Sequence, residues 1–231
     1  KGHVSLGSLR IRQDFLIALG LTEDPYAYNQ NKDQQILDLA LNRIKQLSAH
    51  EIGHTLGFAH NFAASAKDRA SVMDYPHPKL KLIDGKINYE DAYKDGIGDW
   101  DKISVAYSYS HFPESIEEDK ALQNILKKSI EEGYKFISDY DARPIGGAHP
   151  SAHLWDNGNN SVNELRNILK IRKIALDNFY INHIKENETV SLLEDRLVPV
   201  YLLHRYQIEA VSKIIAGQEY SYAVKTNGNV P

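Results

Sequence analysis

At 231 residues, with 42% hydrophobic and 25% charged side chains, the chain can bury one substantial core or two modest ones packed together. Its net charge of −4, with no dense basic run and no aromatic-plus-basic stripe, argues against nucleic acid as a partner. Cysteine is absent, so disulfides and thiolate ligands are excluded and any metal must be held by His, Asp or Glu.

Residues 3–21 (HVSLGSLRIRQDFLIALGL) pass from a short alternating stretch into an apolar one. That fits a strand leading into a short helix, or two short strands. Thr22 to Asn31 is polar and reads as a loop. From Asp33 to about Phe58, Ile36, Leu37, Leu39, Leu41, Ile44 and Leu47 fit one broad helical face, and Gly57 ends that helix. Residues 61–100 are loop-rich, and a helix is expected over Trp100 to Tyr107. After Pro113 three helices are predicted, each opened by a Ser-x-x-Glu capping box: Ser115/Glu118, Ser161/Glu164 and Ser191/Glu194. Pro199 should kink or split the third. No apolar stretch approaches the roughly 20 residues of a membrane span. The expected fold is mainly α with little or no sheet. Residues 1–112 would form a metal-binding half, and residues 113–231 a helical half packed against it as the lower wall of a cleft.

The chemistry concentrates in His50-Glu51-Ile52-Gly53-His54-Thr55-Leu56-Gly57-Phe58-Ala59-His60. Residues i and i+4 share a helix face, so His50 and His54 can present two imidazoles to one ion. Glu51 is offset by one residue, beside the metal without being a ligand, where it can act as general base. Gly57 permits a sharp turn that swings His60 back to complete three ligands. A three-His set leaves a coordination position open, which separates catalytic zinc from structural zinc.

The pattern H-E-x-x-H-x-x-G-x-x-H resembles the signature of the metzincin metallopeptidases, in which a methionine turn follows. Ser71-Val72-Met73-Asp74-Tyr75 is similar to that turn, and Met73 is the only methionine. The resemblance implies one Zn2+ on His50, His54 and His60, with Met73 as an apolar floor beneath the imidazoles. It implies that Tyr75 reaches the zinc or the oxyanion; its alternative reading is a packed aromatic. The stretch from Ile97 to Tyr107 resembles the helix that buttresses the metzincin site. Several further stretches resemble a branch of large bacterial zinc-dependent metzincin-like proteins. They are SLGSLRIRQDFLIALGL, HEIGHTLGFAHNFAAS, SVMDYP, DARPIGGAHPSAHLWDNG and LHRYQIEAVSKIIAGQEYSYAV. That likeness implies an exported protein of which this chain is one part. With Lys1 first and no apolar leader, the chain is expected to be a piece of a longer precursor. Only 49 residues precede His50, too few for a full metzincin sheet. Upstream residues would supply that sheet as a partner, or the domain is truncated. The isolated chain is then expected to bind zinc but to cleave peptides poorly.

Weaker signals remain. His149 and His153, with Asp156, have metal-like spacing, but Pro150 favours a loop folded near the cleft. His77 is expected to be an exposed turn residue, the alternative being a contact with substrate. Asp141 and Arg143 could pair with one another or shape a substrate rim. Phe179, Tyr180, Tyr201 and Tyr206 are expected in the core. The leading function is a zinc endopeptidase acting on peptide or protein. The alternatives are a non-catalytic zinc-stabilised binding or assembly module of a larger exported protein, and a zinc amidase acting on a non-protein substrate.

Overall fold

The structure, a computed structural model, describes residues 5, 7–27 and 30–224. The longest element is α2 (Gln30–Thr55). Along one side of it Ile36, Leu39, Ala40, Arg43, Gln46, Leu47, His50 and Gly53 are buried, three or four residues apart. Leu37, Leu41 and Ile52, with Leu56 just past its end, remain exposed as a second, apolar stripe.

Of the two readings of residues 3–21, the one that ends in a helix holds from Ser8 onward, and the short alternating stretch before it falls largely outside the described residues. That helix, α1, runs from Ser8 to Leu21, and residues 3, 4 and 6 lie outside the described residues. Asp14, Ile17, Ala18 and Leu21 recur at helical spacing and are buried, and α1 packs against both α2 and α7 (Leu192–Tyr201). A Cβ on Gly20 would collide with the Val200 side chain, so the absence of a side chain sets how closely α1 meets α7.

The stretch read as loop after α2 holds one regular piece, an antiparallel hairpin of β1 (Lys81–Ile83) and β2 (Lys86–Asn88). Leu82 faces Ile87, and Asp84-Gly85 turn with φ of 50° and 74°. Positive φ at both central residues is the geometry that Asp-Gly favours in two-residue hairpins. This is the only sheet among the described residues, so the fold is mainly α.

The remaining helices are α3 (Asp99–Tyr109), α4 (Glu118–Glu131), α5 (Asp139–Ala142), α6 (Ser161–Asp177) and α8 (Arg205–Ala216). None of the three Ser-x-x-Glu capping boxes forms. The side chain of Asn160, one residue before Ser161, caps α6 by accepting from the Asn163 N–H at 3.0 Å. α4 begins from Glu117. Ser191 precedes α7 in helical conformation, and its hydroxyl bonds Thr189 instead. Pro199 stays inside α7, which runs two residues past it, and the helical run is divided at residues 202–204, after the proline rather than at it.

The main core joins α1, α2, the hairpin, α6 and α7 through Ile17, Leu39, Leu80, Ile168, Ile171 and Val200. A smaller cluster of Phe62, Ala63, Ile137, Ala142 and Ala152 lies under the loop that follows α2. Two aromatics expected in the core are not there: Tyr180 and Tyr201 are each 54% exposed. No described helix is long and apolar enough to cross a membrane.

Candidate metal centre

α2 presents His50 and His54 one turn apart, with ring centroids 4.7 Å from each other and nearly perpendicular. Gly57 follows at φ +90°, a conformation that a side chain resists. The Phe58 N–H closes the bend onto the Gly53 carbonyl, and His60 comes round to face His54. The His54 Nε2 stands 3.1 Å from the Nε2 of His50 and 3.1 Å from that of His60.

Each outer ring nitrogen is spoken for by an oxygen. His50 Nδ1 donates to the Val72 carbonyl at 2.7 Å, and His54 Nδ1 to the Phe58 carbonyl at 2.9 Å. His60 Nδ1 donates to the Asp139 carboxylate at 2.8 and 3.0 Å. These acceptors fix one tautomer, leaving a lone pair on every Nε2. Lone pairs aimed at one another repel unless a cation lies between them. Nitrogens 2.0–2.1 Å from a tetrahedral zinc stand about 3.4 Å apart, close to the spacing found here. Burial holds His50 down to about 4, the neutral form that a ligand needs. Among the described residues these three form the only group of three or more that could hold a metal ion.

The turn beneath them is built from several directions. The Asp101 carboxylate, in the first turn of α3, accepts from Ser71 Oγ at 2.5 Å, Val72 N at 2.9 Å and Gly98 N at 2.6 Å. Gln46 of α2 donates to the Val72 and Asp74 carbonyls, and Arg43, paired with Asp14 of α1, orients Gln46. Met73 is 2% exposed and lies against α2 at Gly53, where a Cβ would collide with its sulfur. An unassigned position of the histidine motif thus makes room for the methionine.

Tyr75 is half-buried, its ring 4.5 Å from that of His50 and 5.0 Å from that of His60. Its hydroxyl makes no hydrogen bond to a described residue. Burial and the nearby Glu51 charge raise its pKa. Glu51 is half-buried and has no hydrogen bond or ion pair with any described residue.

Asp139 and Arg143 bring the second half of the chain to this centre. Arg143 pairs through Nε with Asp139 Oδ1 at 2.5 Å, while Asp141 accepts from the hydroxyls of Tyr220 and Tyr222. Asp141 and Arg143 therefore do not pair with each other. His77, expected to be exposed, is buried and packs near Tyr206. The histidines of the 149–153 loop form no second metal site. His149 is used up by the Tyr220 carbonyl and the Ser151 N–H, and His153 faces Glu209 at 3.4 Å. The loop does reach the centre through Trp155, whose ring lies 5.1 Å from that of Tyr75, tilted by 40°.

Sequence reading passed over Gly53, Asp101 and Asp139. Asp101, three residues after Gly98, carried a signal, since an acid at that position reaches back to the first N–H of its helix. Asp139 carried none, standing 79 residues from the ring it holds.

A family model described as Met-zincin matches residues 32–231. No curated protein and no solved structure matches the chain.

Proposed function

Because the chain belongs to the Met-zincin family, we propose that it is a zinc-dependent peptidase hydrolysing peptide bonds, with His50, His54 and His60 holding one Zn2+. The observation that carries this reading is the set of three Nε2 lone pairs gathered at one point, each ring fixed by an oxygen behind it. Zinc bound there supplies Lewis acidity, bringing the pKa of water toward neutrality and polarising a carbonyl.

Glu51 takes a proton from the attacking water and returns it to the leaving amine. Its support is a half-buried carboxylate one residue from a ligand, with no structural partner to occupy it. Tyr75 donates its hydroxyl to the charge that develops on the carbonyl oxygen. Its support is a ring set against His50 and His60 and a raised pKa that keeps the phenol protonated. Gly57 supports the site through its bend, and Met73 through packing beneath α2.

Leu37, Leu41 and Ile52 of α2, with Leu56 just past its end, form an exposed apolar stripe, and metzincins place a sheet ahead of their active-site helix. We assign this face to an upstream part of the same protein; without that cover the substrate groove lacks a wall and turnover is slow. Export from a bacterial cell belongs to the same proposal, and fractionation of the producing cells tests it.

Glu51→Gln is expected to lower peptide turnover by about 10²- to 10⁴-fold while one zinc per chain is retained. His54→Ala should lose the zinc. Zinc retained with no peptide turnover, even in a longer form of the protein, would favour the non-catalytic assembly module. Turnover unaffected by Glu51→Gln would refute the assigned base.

A further inference from the structure

Beside Glu51 and the Tyr75 hydroxyl, the centre holds a third group without a partner among the described residues, the terminal amines of Arg143. Arg143 follows α5 directly, and its Nε is fixed to Asp139, whose carboxylate also holds His60. The guanidinium carbon stands 5.7 Å from the Tyr75 ring centre and 5.8 Å from that of Phe62. Phe62 is fully buried. Three contacts thus surround the guanidinium, and only its Nε has a charged partner. The two terminal amines have no partner among the described residues, and the side chain is 47% exposed. Both the Tyr75 hydroxyl and the His60 ring feel its charge.

A planar fork with two free parallel N–H groups matches a carboxylate, which it can bind bidentately. In a peptide that group is either an acidic side chain or the C-terminus. Because the fork is already ordered, little side-chain entropy is lost when it is occupied. Asp139 keeps its own charge engaged with His60 and with the Arg143 Nε, which leaves the outer amines for a second anion.

We propose that Arg143 is a recognition residue for a substrate carboxylate next to the scissile bond, so that the site selects peptides bearing an acidic group there. This rests on the peptidase reading and deepens it by naming the substrate class.

The test uses four N-terminally labelled libraries of otherwise neutral peptides. A central position carries Glu or Gln, and the C-terminus is free or amidated. Binding to zinc-loaded Glu51→Gln protein is followed by anisotropy, alone and combined with Arg143→Gln, with zinc content measured on each. Initial rates are measured on otherwise wild-type protein and on Arg143→Gln. The expected result is roughly 10- to 100-fold tighter binding of one carboxylate form, falling to parity in Arg143→Gln. A preference for Glu over Gln identifies the side chain as the source; a preference for free over amidated ends identifies the C-terminus. A merely structural role would weaken all four libraries alike and leave their ratios unchanged. Equal binding of acidic and neutral forms by protein with Arg143 intact overturns the proposal while leaving the peptidase reading standing. Absence of both binding and turnover with every library, in a longer form of the protein as well as in this one, removes both.

Discussion

Single residues here act by what they leave room for as well as by what they contact. Gly53 is the clearest case. A methyl group at that position would meet the Met73 sulfur beneath α2, and both partners are buried. Gly53→Ala is expected to cost about 1–3 kcal/mol, the usual range for overpacking, read as a lower urea midpoint at unchanged m-value. Nothing local announces that role, because in the sequence Gly53 is one of the two variable positions between His50 and His54. A second pair of residues sets a pH dependence. Burial, and the Asp156 charge, raise the pKa of Asp74; burial pushes Asp156 up to about 7. An acid whose folded pKa lies above its unfolded value near 4 binds more protons in the native state through that window. Their contribution to stability is therefore expected to fall as pH rises from about 4 to about 7, opposing that of His50 and His153, which burial holds down to about 4 and whose contribution rises over the same range. Urea melts of the parent and of Asp156→Asn between pH 5 and 8 check this: the stability of the parent relative to the variant should fall as pH rises.

At the scale of elements, the parts that were legible are those written in local period. The apolar spacing of α2, the i, i+4 histidines and the Gly57 bend all follow from neighbouring residues, and the structure brings His50, His54 and His60 together as that spacing requires. Local signals failed where two competed. Ser161 fits a capping box, but Asn160, an equally good cap, begins the helix one residue sooner. The Asp84-Gly85 hairpin was written in the sequence and hidden by the loop-like residues around it. The α1 segment mixes period 2 with period 3.6, and packing against α2 and α7 settles it as helix. What no local pattern could reveal is α5, a single turn whose first residue buttresses a ligand from another part of the chain. Asp139→Ala is expected to weaken zinc binding by roughly 10- to 100-fold, measured by competition with a chromogenic chelator, with Asp139→Asn closer to the parent. Unchanged affinity in the alanine variant would mean that the contact holds no ring in place.

Taken whole, the molecule is tied together across its midpoint. The main core combines α1 and α2 with α6 and α7, and the candidate metal centre takes its three histidines from the first half and the carboxylate behind His60 from the second. Removing the metal should therefore be felt throughout the chain. Chelator-treated protein is expected to melt in one transition roughly 5–10 °C below the zinc-loaded form at 100-fold excess of zinc over its dissociation constant, and re-addition should restore it. Two separated transitions would argue for halves that fold apart. The ring contacts around the site carry one more consequence. Trp155 touches Tyr75, which lies on two of the three imidazoles, while Trp100 stacks on Phe136 and has no ring contact with the histidines. The protein thus contains its own optical gauge of occupancy. Copper or cobalt entering among the histidines should quench the emission of Trp155, and a Trp155→Phe variant should lose that response, so loading could be followed in real time without any added dye.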